Sequence, residues 1–165
     1  MKRAIIVLCA SVAFMSVCEA SSGKSYKTAR EHLAMCEENN VTPPVGFLGA
    51  QVVQVYWESV PELKKLRETF IADDEAFNKE LKKDDDYKEA YERYEKSSGS
   101  KQKKALRDLS KATDDAYARL GRKSSFKKAL SKRQESLRAC NIRTLEYIID
   151  DYEKRGKPFP VDWIK

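Results

Sequence analysis

Between Asp115 and Glu135 the sequence contains no acid, and Arg119, Arg122, Lys123, Lys127, Lys128, Lys132 and Arg133 all fall in that gap. Lys104, Arg107 and Lys111 form a second basic row on the helix expected before it. If the two helices pair antiparallel, their basic faces merge near Gly121. Such a patch would raise the local concentration of anions and speed encounter with an acidic partner. The acids are concentrated elsewhere. Glu68 to Glu95 holds 11 acids against 5 bases, whereas Lys96 to Arg143 holds 15 bases against 4 acids. The plainer interpretation is a solvated basic face offset by the acidic half of the same molecule.

The other reactive side chains are few. His32 is the one histidine, so a His-rich metal site or paired imidazoles are not expected. His32 and Cys36 stand four apart and share a helix face, but a cysteine nucleophile would need that thiol unbridged. No phosphate-cradling glycine loop appears. Asp84-Asp85-Asp86 lacks calcium-loop spacing and suits the positive end of a helix dipole. No catalytic constellation or cofactor is read from the chain. Tyr87, Tyr91 and Tyr94, with Tyr56, Trp57 and Tyr117, offer an alternative site, an aromatic-lined cavity for a small apolar or amine ligand. Ordinary core packing explains the same stripe. Asn40-Val41-Thr42 is a glycosylation sequon, although Pro43 crowds it.

Longer elements have to position these residues. Lys2 and Arg3 precede an apolar run from Ala4 to Val17, and Cys18-Glu19-Ala20 ends on a small residue, the pattern of a secretion signal over 1–20. That run is shorter than the roughly 20 residues a bilayer span requires, and no second such run follows. Removing the signal leaves Cys36 and Cys140 for an oxidising compartment. Their pairing would close a loop of about 100 residues, stabilising by roughly 4–5 kcal/mol in the chain-entropy model. Two buried thiols or an intermolecular bridge are the other readings.

The first helix is expected over Ser25 to Asn39, with Tyr26, Ala29, Leu33 and Cys36 on one face. Pro43, Pro44, Gly46 and Gly49 break it. Ala50 to Glu58 has strand-like composition but lacks a second strand to pair with, which favours helix. Ser59 and Glu62 have capping-box spacing around Pro61, Asp73-Asp74 reads as the next cap, and Asp84 opens another helix. Lys101 to Leu120 is helical up to Gly121. Ser124 or Ser125 caps a stretch to Arg155 whose apolar stripe includes Phe126, Leu130, Cys140, Leu145, Ile148 and Ile149. That stripe fits one long helix or two joined near Asn141. From about 157 a tail with Phe159, Val161, Trp163 and Ile164 is expected to fold back.

The fold expected is an all-α, single-domain bundle of five to seven helices over 21–165, with one disulfide. A signal ending near Ala20, two remaining cysteines and lysine-rich helices after Ser100 give a pattern that resembles small basic helical proteins in the saliva of mosquitoes and other blood-feeding insects. The resemblance implies a secreted binding protein that modulates host inflammation, immunity or haemostasis. The partner expected is an extracellular protein or an anionic polysaccharide or surface. Nucleic acid is disfavoured because the aromatic residues fall at core-facing positions.

Overall fold

The computed structural model describes residues 29–156. The expected secretion signal over 1–20 and the expected folded-back tail from 157 lie outside the described residues. Within them the fold is all-helical: α1 (Ala29–Glu38), a 3-10 turn (Gly46–Leu48), α2 (Ala50–Ser59), α3 (Pro61–Leu81), α4 (Asp85–Glu95), α5 (Ser100–Leu120) and α6 (Ser124–Lys154). The segment with strand-like composition is helix α2. The last stretch is one uninterrupted helix of 31 residues.

α3 and α6 lie antiparallel along each other and form the spine of the fold. Three contacts give the register. Glu62 receives Arg143 Nε at 2.8 Å, Asp74 receives Arg133, and Glu80 accepts from Ser125 at 2.8 Å. The chain numbers rise on one helix as they fall on the other.

One end of this pair is covered by α4 and α5, which pack on each other. Their core joins Phe77, Leu81, Tyr87, Ala90, Leu109, Ala116, Leu120 and Phe126. At the other end α1 and the 3-10 turn cover α6 through Ala29, Leu33, Leu145 and Ile149, with Phe47 and Leu48 against them. Leu63, Leu145 and Ile148 are fully buried. Each such burial stabilises by about 1.5–3 kcal/mol.

Several local expectations are corrected. Asp73-Asp74 does not cap a helix, because α3 runs straight through it and Asp74 faces α6. Ser59 does not cap α3. The N-cap is Val60 with no side-chain bond, and the Ser59 hydroxyl donates back to Val55 O at 2.7 Å. Neither Ser124 nor Ser125 caps α6, whose N-cap is Lys123. Asp84 does cap α4, accepting from Tyr87 N at 3.1 Å. Gly121 ends α5 in right-handed geometry. A glycine is needed there for space, since a Cβ would stand 2.6 Å from Tyr117 O.

α1 ends with Asn40 at φ 60°, Val41 N bonded to Cys36 O and Asn40 N bonded to Glu37 O. This is the Schellman pattern, and asparagine tolerates its left-handed position. The loop that follows is tied to α6 where Asn141 Nδ2 donates to Pro43 O at 2.9 Å.

Candidate functional site

The ten basic residues singled out by the sequence divide into two groups. Arg119 grips Asp84 through Nε at 2.6 Å and Nη2 at 2.7 Å, and its Nη2 lies 3.2 Å from Asp86. Asp84 is buried and also caps α4, so one carboxylate joins the start of α4 to the end of α5. The Arg119 guanidinium holds the Asp84 carboxyl below its ordinary range. Arg133 is bound to Asp74, which also accepts from Asn78 Nδ2 at 3.0 Å. Its guanidinium carbon stands 5.2 Å from the centre of the Phe77 ring. Both members of this pair are less than a fifth exposed. Arg133 is therefore largely enclosed by the fold, whereas Arg119 stays exposed but has its guanidinium committed to Asp84 and Asp86.

The other eight are Lys104, Arg107, Lys111, Arg122, Lys123, Lys127, Lys128 and Lys132. All are exposed, and none has an ion pair among the described residues. The expected merger of the two rows does not occur. α5 packs along α4, while α6 packs along α3, so the consecutive helices are not an antiparallel pair. Lys104, Arg107 and Lys111 follow one another at steps of three and four, on the side of α5 away from buried Leu109, Ala116 and Leu120. Exposed Asp114 and Asp115 separate this row from the α6 row. Lys101 and Lys103, also exposed, extend the α5 row. Their position in the same short basic run was a signal that the sequence already carried.

The aromatic residues divide between the two ends of α6. Phe77 and Tyr117 rings lie 5.8 Å apart, and Tyr117 meets Phe126 edge-on at 5.3 Å. Tyr87 is buried in that cluster, which pushes its hydroxyl up to about 12, and Tyr91 and Tyr94 pack against it. At the far end Trp57 Nε1 donates to Thr144 Oγ1 at 2.9 Å. Thr144 Oγ1 donates in turn to Cys140 O at 2.7 Å. Tyr56 donates to Asp151, and burial, then that bond, pushes it up to about 12. An open surface depression near Trp57 is lined by Lys64, Arg67 and Ile71, with the Arg67 guanidinium 5.0 Å from the indole centre.

Cys36 and Cys140 are each 1% exposed, and no disulfide is seen among the described residues. Burial pushes the Cys140 thiol up, which disfavours the nucleophilic thiolate. Cys36 Sγ lies 3.6 Å from His32 Nε2 inside the α1–α6 layer. Asn40 is exposed, while Thr42 of its sequon is partly buried. Among the described residues no group of three or more His, Cys, Asp or Glu is placed to hold a metal ion. No helix there is long and apolar enough to cross a membrane. A family model described as a domain of unknown function, DUF5039, matches residues 17–165. No curated protein and no solved structure matches the chain.

Burial lowers the affinity of His32 for a proton below its ordinary value of 6.5. The unfolded chain takes up that proton as pH falls through 6.5 while the folded chain resists it, so this contribution to stability is present above 6.5 and declines below it. Urea midpoints should therefore fall from pH 7 to pH 5, and His32→Gln should flatten the decline. Equal slopes for the two proteins would remove His32 as the cause.

Proposed function

We propose that this chain, which belongs to the DUF5039 family, is a secreted, non-enzymatic interaction protein that acts through the exposed cations of Arg122 to Lys132. One observation carries the reading. Arg122, Lys123, Lys127, Lys128 and Lys132 are exposed, without ion pairs among the described residues, in a segment that contains no acid. Solvated cations of one sign attract anionic partners over distance and set encounter rates. The partner class is an extracellular protein or an anionic polysaccharide or surface. The signal pattern over 1–20 supports secretion, and the likeness to salivary proteins of blood-feeding insects supports a modulatory role in the host.

In the oxidising compartment the proposal includes a Cys36–Cys140 bridge. Support comes from two buried cysteines on α1 and α6, helices that pack together through Leu33, Leu145 and Ile149. Peptide mapping of the secreted protein without reductant should recover the two cysteine peptides joined. Their recovery as separate thiol peptides would remove the bridge.

The surface itself is tested on a sulfated polysaccharide resin. Reversing Lys127, Lys128 and Lys132 to Glu should lower the eluting salt concentration sharply, with the thermal midpoint within a few degrees of wild type. Arg133 is left intact in this variant because its loss would leave the little-exposed Asp74 without its partner. Unchanged elution would overturn the assignment.

A further inference from the structure

The two basic rows are separate surfaces, and the distance between them decides what they can do together. Along α5, Arg107 is about 20 Å from the end of the helix at the usual rise of 1.5 Å per residue. At physiological salt the screening length is about 8 Å. Charges on the first row are therefore nearly invisible from the second, and Asp114 and Asp115 lie between them. Each row is nonetheless strongly cationic. Residues 100–111 hold five cations and one acid, and residues 121–132 hold five cations and none.

The chemistry of the rows favours one kind of partner. Protein interfaces are anchored by buried aromatic or arginine side chains at their centre. Leu106 is the one large apolar side chain exposed in either row among the described residues. Phe126 and Leu109 are buried, and Arg119 is bound to Asp84. What remains is mainly lysine, a mobile and strongly hydrated point charge without a planar recognition geometry. Such rows suit a flexible chain of regularly repeated anions, whose condensed counterions are released on contact. Stacking platforms for nucleic acid bases are missing from both rows, because Phe126 is buried and Tyr117 packs against Phe77.

We infer that the protein is a bivalent binder of linear sulfated polysaccharide, with one chain segment on the α5 row from Lys101 to Lys111 and a second on the α6 turn from Arg122 to Lys132. The inference rests on the surface reading above and adds a second surface and a consequence. Two independent surfaces let one molecule join two chains, or two stretches of one chain.

Full-length protein is titrated with long heparin chains and, separately, with short heparin oligosaccharides, while light scattering and binding are followed. Scattering should rise and then fall with excess long chain, and should stay at baseline with oligosaccharide. Lys104→Gln/Arg107→Gln/Lys111→Gln and Lys127→Gln/Lys128→Gln/Lys132→Gln should each keep oligosaccharide binding but lose the scattering peak. Against long chains, which engage both rows, each triple variant should also reduce the slope of log affinity against log salt by roughly 2–3, as for other polyanions. Binding with no scattering at any ratio would overturn bivalency and leave the single-surface reading standing. Retention on an acidic protein column with no polysaccharide binding would overturn the polysaccharide assignment. No binding to either would overturn the surface reading itself.

Discussion

The antiparallel contact between α3 and α6 is the constraint on which the other elements depend. α1 is placed by residues on the second half of α6, α2 by α3 and α6 together, and the α4–α5 pair by the first half of α6 and the end of α3. Apolar burial supplies the energy, but it does not by itself set the register of two long helices whose stripes repeat every three or four residues. The Asp74–Arg133 pair, little exposed and ringed by Phe77 and Asn78, makes a one-turn slip costly, because a slip would strand a carboxylate and a guanidinium without partners. Glu62 with Arg143 and Tyr147 repeats the device near the other end of the pair, where the exposure of both groups weakens it.

The cations are divided by type. Among the described residues every ion pair that joins two helices uses an arginine: Arg30 to Asp150 and Glu153, Arg119 to Asp84 and Asp86, Arg133 to Asp74, and Arg143 to Glu62. The lysine pairs, Lys83 with Glu80 and Lys96 with Glu92, are local. A planar guanidinium fits two carboxylate oxygens in fixed geometry, and a compact ammonium does not. Arginine therefore fastens helices while lysine remains on the surface, with Arg107 and Arg122 as exposed arginines that join no ion pair among the described residues. The acidic segment is not simply a counterweight to the basic one. Three of its carboxylates, Asp74, Asp84 and Asp86, hold arginines of the basic segment directly.

Helix identity was legible because it is written locally. The apolar spacing of Phe126, Leu145, Ile148 and Ile149 marks the buried side of α6, and Asp84 announces the start of α4. Partner choice was not legible, because it depends on residues distant in the chain. Asp73-Asp74 has the composition of a cap, and only the position of Arg133, 59 residues later, shows that Asp74 is a tertiary partner. Likewise a short turn at Gly121 suggests that α5 and α6 pair side by side. The turn instead redirects α6 along α3, so the two basic rows part. Exposure of Lys127, Lys128 and Lys132 followed from helical period alone, whereas the pairing of Arg119 and Arg133 required their carboxylates to be located.

The most direct measurement is a double-mutant cycle on Asp74 and Arg133, reading urea unfolding of Asp74→Ala, Arg133→Ala and the double variant. If this pair sets the packing of α3 on α6, the sum of the single losses should exceed the loss in the double variant by about 0.5–3 kcal/mol, the range seen for residues in direct contact. Losses that add to within about 0.5 kcal/mol, as for independent sites, would mean that the two helices are aligned by apolar contacts alone and that Arg133 is as available to a partner as the lysines beside it.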